Sequence, residues 1–446
     1  MKRLALLLAL APTLAAAQPA PPTDYGQLGL DLIEGLTTEV GPRLAATPQE
    51  ARARVWAVRR LAELGFKNVR VETFTMPLWQ RGAESAYVVS PHPQRLVVTA
   101  LGGSSATSQG GITAPVVLFG DMAALEAATP ASVAGKIVFV THRMTRTQDG
   151  SSYGYFGDIR RRGPAVASAK GAAAIVIRSI GTDHSREPHT GQTNFGTTRP
   201  IPAAALSVAD SEQLERLLAR GPVTLKLDLT TLRDEHAQSG NVIAEIPGSD
   251  PKAGIVLVGA HLDSWDLGTG AIDDAAGIGI VTAAAKALLD GPRPRRTVRL
   301  VWFGAEEVGL VGGLHYRDRH RQEPHALATE ADFGSDRVWR VDFKLPEGAA
   351  PLRARIAAAL APLGIAPSKL PATGDSDVGP LVATGVNAID LQQDGTRYFD
   401  LHHTPEDTFD KIDPAGIRQG VEAYTRVLRL VADAPENLLP TPAAKQ

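Results

Sequence analysis

The stretch GAHLDSWDLGTGAIDDAAG, residues 259–277, decides how the rest of the chain is read. It overlaps the apolar run GIVLVGA, residues 254–260, which has the length and β-branched content of a buried strand. His261 leaves that strand at its end, and Asp263 points the same way two residues later. A metal-bound His gives its second ring nitrogen to a carboxylate, and Asp263 is placed for that. Gly268, Thr269 and Gly270 turn the chain back. Asp273 and Asp274 then stand at the start of a helix, where carboxylates suit the helix dipole. Asp274 can be read as an N-cap and nothing more. Two adjacent carboxylates beside a His-x-Asp still call for a cation, because like charges repel and burial costs desolvation energy.

Outward from this stretch, strands and helices alternate: a helix over 277–289, a strand over 297–304 (TVRLVWFG), a helix over 352–361, a strand over 386–391 and a helix over 414–432. The alternation predicts an α/β fold, a mostly parallel mixed sheet with helices on both faces. In such sheets ligands gather beyond the carboxyl ends of the strands. Strand 297–304 runs into Glu306-Glu307, so the two acidic clusters share one rim. Gly304, Gly309, Gly312 and Gly313 around the pair imply close backbone packing rather than a solvated face. One Glu can ligate a metal while the other takes a proton from metal-bound water. His402-His403 precedes the turn Thr404-Pro405, which by itself marks only a loop.

Two blocks come earlier. Residues 25–100 contain a helix over 47–64, with Thr47 as N-cap, Glu50 at capping-box spacing and Gly65 as the stop. Val69, Val71, Thr73 and Thr75 then alternate as a strand. Residues 102–230 open with a Gly/Ser-rich linker and read as a β-rich insert. Its strands fall at 115–119, 136–141, 173–179 and 223–229, with a loop over 181–200 and a helix near 209–219. The main part of the sheet domain occupies 236–434, and 435–446 is a Pro/Ala-rich tail.

A net charge of -2 excludes the basic footprint of a nucleic-acid binder. The absence of cysteine removes thiolate nucleophiles and thiolate metal sites, so any metal must be held by His, Asp and Glu. Lys2-Arg3, the apolar run Leu4 to Leu10 and Ala15-Ala16-Ala17 read as a secretory signal peptide over residues 1–17. The run is too short for a stable membrane anchor, so the expected location is periplasmic or secreted.

Together the motifs resemble the co-catalytic dizinc aminopeptidase family. Its pattern is His-x-Asp, Gly-Ala-x-Asp-Asp-x-x-Gly, Glu-Glu, Asp and His-Thr-x-x-Asp-Thr. The chain supplies these in order as His261-Leu262-Asp263, residues 270–277, Glu306-Glu307, Asp332 within TEADFG, and residues 403–408. HLDSWDLGTGAIDD, PHTG at 188–191, the turn Gly374–Asp377 and Tyr398-Phe399 are similar to the carboxypeptidase Q branch, which carries a protease-associated domain inserted in the catalytic one.

The resemblance implies two Zn2+ ions bridged by Asp273. His261 and Asp332 complete one position, and Glu307 and His403 the other, with His402 competing for the last place. It implies Glu306 as general base, Asp263 as the group orienting His261, and Asp377 and Tyr398 as substrate contacts. The implied activity is hydrolysis of dipeptides or short peptides at a terminal bond, by a homodimer. An aminopeptidase on longer peptides is the nearest alternative. A one-zinc glutaminyl cyclase and a non-catalytic binding protein on the same fold are rivals from other classes, and the complete ligand set speaks against both. No Arg or Lys stands out as the grip for a free C-terminal carboxylate. His142, His184, His189 and His236 read as solvated or structural, and His315, His320 and His325 receive no role.

Overall fold

A computed structural model describes residues 23–374 and 376–439. The signal reading at 1–17 and the tail from residue 440 onward lie outside the described residues. The strand Ile255–His261 sits between Thr297–Phe303 and His325–Glu330, parallel to both. Ala388–Gln393 continues the parallel set beside His325–Glu330. Antiparallel strands border it: Val338–Lys344 on one side and Thr224–Ile246 on the other. The sheet is therefore mixed, with a parallel centre.

The central strands read as continuous apolar runs because both of their faces are covered. One face carries the helices Tyr25–Glu39, Ala276–Leu289 and Pro414–Ala432. Ala276–Leu289 is buried on nearly every side and is accordingly apolar all round. The other face carries Val311–His320, where Leu257, Val301, Phe303, Tyr316 and Leu381 pack together. Helix Tyr25–Glu39 has no counterpart in the sequence reading. Its signals were the Asp24 cap, which accepts the Gln27 amide, and the buried set Leu32, Ile33 and Leu36.

The insert does not begin where the composition shift suggests. Strands Lys67–Ser90 and Thr224–Ile246 form one long antiparallel ribbon, pairing Arg70 with Ile243 at one end and Val88 with Leu225 at the other. The ribbon leaves the central sheet and becomes part of the insert. The first block, read as 25–100, thus contributes its last strands to the second. Beyond the ribbon, Ile112–Phe119, Ile137–Val140, Ala174–Arg178 and Ala203–Leu206 run parallel around separate apolar cores. Among the described residues no helix is long and apolar enough to cross a membrane.

Candidate metal centre

Three parallel strands deliver the acidic clusters to one rim. His261 is the last residue of its strand, Glu306 follows Phe303 by three residues, and Asp332 follows Glu330 by two. Asp273 lies in the turn Ala271–Ala275 that leads into helix Ala276–Leu289, and its peptide to Asp274 is cis. A Cβ at Gly277 would lie 2.0 Å from the carbonyl oxygen of Ala331, so only glycine lets this helix start abut the Asp332 loop. A Cβ at Gly312 would lie 2.3 Å from the Gly304 carbonyl oxygen, which is the close packing expected around the Glu pair. Ala305 and His403 hold left-handed backbone angles, φ 61° for each. Non-glycine residues adopt these only when their surroundings fix them, commonly at functional sites.

The structure brings His261, Asp273, Glu307, Asp332 and His403 together. His261 Nε2 lies 3.0 Å from Asp273 Oδ1 and 3.3 Å from Asp332 Oδ1. His403 Nε2 lies 3.3 Å from Asp273 Oδ2 and 2.9 Å from Glu307 Oε2. The two oxygens of Asp273 thus face two different imidazoles. Tetrahedral zinc with bonds of about 2.0–2.1 Å needs neighbouring donors about 3.3 Å apart, and these separations are close to that. The donor set is all nitrogen and oxygen, which suits a hydrolytic divalent ion.

Electrostatics point the same way. Burial would lower His261, yet Asp332, Asp263 and Asp273 hold it well above the ordinary imidazole range. Burial would also lower His403, but Glu307 and Asp273 push it up to about 10. Asp273 is held well below the carboxylate range, because His261 and His403 outweigh its burial. Burial first, then Asp332 and Glu307, raise Glu306 well above that range. The gap between imidazoles and carboxylates draws positive charge, which a divalent cation satisfies.

His402 stacks on His403 with ring centroids 3.4 Å apart, and its Nε2 lies 3.5 Å from Asp273 Oδ2. It therefore remains within the same donor group. Two features separate the rings. His403 Nδ1 faces the Thr190 carbonyl oxygen at 3.3 Å, which leaves Nε2 free for a metal. His402 Nδ1 has no partner among the described residues.

Asp263 bears on both His261 and the glutamate pair. His261 Nδ1 is nearer the Asp263 carbonyl oxygen, at 3.1 Å, than its carboxylate, at 3.7 Å. The carboxylate instead accepts the amides of Glu306 (3.0 Å) and Glu307 (3.3 Å), so it fixes the Glu pair. Asp274 is a structural cap, accepting the amides of His261 and Gly277, each at 3.0 Å. Asp407 accepts the amides of Ile272 (2.5 Å) and Asp273 (3.3 Å). Arg43, absent from the sequence reading, is wholly buried and donates to the carbonyls of Leu262, Thr269 and Gly270.

A cavity of about 750 Å³ opens beside this cluster, lined by Asp273, Glu306, Glu307, Asp332, His402 and His403. Tyr398 lines it too. Asp377 does not: its carboxylate turns inward to accept the Gly313 amide at 2.8 Å. Its neighbour Ser376 faces the cavity and donates to Glu306 Oε1 at 2.7 Å. The opposite wall belongs to the insert and includes Tyr153, Arg160 and Thr193.

A family model described as Peptidase family M28 matches residues 241–427. The chain is 34% identical to carboxypeptidase Q of Rattus norvegicus over 422 residues, covering 93% of this chain and 86% of that one. A crystal structure of a peptidase M28 precursor from Shewanella amazonensis is 44% identical, with TM-score 0.91 over 94% of this chain and 98% of that one. A zinc aminopeptidase from Bacillus subtilis shares the fold, with TM-score 0.67 at 21% identity over 94% of this chain and 98% of that one.

Proposed function

The chain belongs to peptidase family M28, and we propose that it is a two-zinc exopeptidase that hydrolyses dipeptides and other short peptides with free ends. The observation that carries this reading is Asp273, whose two oxygens face His261 and His403 at the edge of the cavity. Asp273 is then shared by both ions. His261 and Asp332 complete one position, and Glu307 and His403 the other.

Zinc bound there polarises a carbonyl and acidifies water. Glu306 takes a proton from the attacking water and returns it to the leaving amine. Ser376 holds one Glu306 oxygen, so the other is free for that transfer. Asp263 acts by holding the backbone of both glutamates.

The preference for short, free-ended peptides is supported by Arg160. Its guanidinium is buried in the insert wall of the cavity and has no carboxylate partner among the described residues. Its Nε has no partner among the described residues. By contrast, Arg161 and Arg162 pair with Asp158. A guanidinium whose partners are the neutral Thr190 carbonyl and Tyr153 hydroxyl, beside an acidic centre, suits a zwitterion: its carboxylate at Arg160, its amine toward the carboxylates. Tyr398 is a second substrate contact. The insert is read as a protease-associated domain. Export rests on residues 1–17, and the homodimer on the resemblance alone.

The test is hydrolysis by the purified chain of free dipeptides, amidated dipeptides and longer peptides, with zinc and after chelation. Zinc-dependent cleavage favouring free dipeptides is expected, with Arg160→Met losing that preference. Equal cleavage of amidated or longer peptides would make it a general aminopeptidase. No zinc-dependent hydrolysis would overturn the peptidase reading and favour the cyclase or binding readings.

A further inference from the structure

The segment PHTG, residues 188–191, lies in the insert, and its His189 reads from sequence as solvated or structural. The structure places it against the loop that carries His403. His189 is 1% exposed. Its Nδ1 donates to the His402 carbonyl oxygen at 2.7 Å, and its Nε2 faces Asp183 Oδ1 at 2.8 Å. Its amide donates to Ser179 Oγ at 2.9 Å, and Ser179 donates onward to the Leu206 carbonyl at 2.7 Å. The ring also packs against Gly181, where a Cβ would come within 2.2 Å of Nε2. His189 is therefore fixed to the insert on several sides before it reaches the loop.

Thr190 adds a reciprocal pair. Its amide donates to the His403 carbonyl at 3.1 Å, and its own carbonyl accepts from His403 Nδ1 at 3.3 Å. Thr190 is anchored in turn by Oγ1, which donates to the Ala100 carbonyl at 2.9 Å and accepts from Arg81 Nη2 at 3.0 Å. The backbone carbonyls of His402 and His403 are thus both satisfied by the insert. Such buried groups must find partners, so the contacts select the loop conformer. That conformer includes the left-handed backbone of His403, which costs energy and persists only where neighbours enforce it.

We propose that His189 is a positioning residue: held by Asp183, it sets the His402-His403 loop so that His403 presents Nε2 to Asp273 and Glu307. The inference rests on the two-zinc reading above. It makes the two metal positions unequal. The position of His261 and Asp332 is built on the ends of the central strands and the Asp273 turn. The position of Glu307 and His403 depends on a separate lobe of the chain.

Stepwise zinc titration of the full metal-stripped chain, followed by calorimetry, tests this. In His189→Ala one of two zinc affinities falls about 10- to 100-fold, the range for losing a group that orients a ligand, while the other is unchanged. His189→Asn, whose amide nitrogen can donate to the same carbonyl but which cannot reach Asp183, recovers part of the lost affinity and leaves the other position unchanged. Asp183→Ala weakens the same single position, and it decides the matter should His189→Ala fail to fold. Unchanged affinities in His189→Ala, an equal fall in both, or an asparagine variant as weak as the alanine one would overturn the proposal. A wild type that binds fewer than two ions would instead overturn the two-zinc reading itself.

Discussion

Replacing Arg43 with methionine removes the tie that holds the loop between His261 and Asp273. Arg43 is wholly buried and donates to three carbonyl oxygens: Leu262 from Nε at 2.5 Å, Thr269 from Nη1 at 2.6 Å and Gly270 from Nη2 at 2.8 Å. Methionine fills much of the same space but offers no donor. Each hydrogen bond to a charged group contributes about 1.5–3 kcal/mol, so three sum to roughly 4.5–9 kcal/mol. Burying the guanidinium itself costs several kcal/mol, and burial is the main reason its pKa is lowered. Setting one against the other leaves a loss of about 3–5 kcal/mol, the scale seen when a buried charged network is broken.

For a chain of this size each kcal/mol moves the melting midpoint by about 1–2 °C, so the variant melts about 3–10 °C lower. Scanning calorimetry reads the shift, and zinc titration reads the accompanying loss of affinity at the positions that share Asp273. Arg43→Lys recovers little, because one ammonium cannot span three carbonyls. A midpoint within about 1 °C of wild type, with zinc affinity unchanged, would show that Arg43 does not hold this loop.

Glu306→Gln is expected to lower kcat about 100- to 10,000-fold while zinc content stays at the wild-type level, measured by dipeptide hydrolysis and metal analysis. Gly312→Ala drives a Cβ onto the Gly304 carbonyl and should cost about 1–3 kcal/mol of stability, read from the denaturant midpoint. The Glu72–His320 pair, 2.8 Å apart, should shape the pH dependence of stability. Despite burial, His320 and Arg70 hold Glu72 down to about 2, so its contribution is present above about pH 4.5 and is lost as pH falls toward 2. Despite burial, Glu72 and Glu323 raise His320, so its contribution is full below about pH 6.5 and is lost as pH rises through the raised value. Melting midpoints of Glu72→Gln should therefore fall below wild type most at about pH 5–6 and converge with it at low pH.

The metal-centre residues were legible because they sit at strand ends and helix starts, where local pattern predicts position. His261, Glu306 and Asp273 each follow or precede an apolar run whose period is plain in the sequence. What stayed hidden depends on contacts far apart in the chain. Arg43 bonds residues more than 200 positions away, and nothing in Gly41-Pro42-Arg43 signals it. His189 and Arg160 meet His402 and His403 only because the ribbon Lys67–Ser90 and Thr224–Ile246 carries the insert over the rim. The ribbon is hard to read because its middle, TLRDEHAQSG, is polar on both faces and lacks the alternation that marks a half-buried strand. Asp377 stood in a turn rich in acidic residues, and only the fold shows that Ser376 faces Glu306 while Asp377 faces away.

The two-ion centre is tested by the number of zinc ions that the metal-stripped chain takes up, compared with Asp273→Asn. Two ions per wild-type chain are expected, with weakened binding of both in the variant, because one carboxylate serves both positions. A single ion in the wild type, or two ions bound by the variant with undiminished affinity, would contradict that expectation.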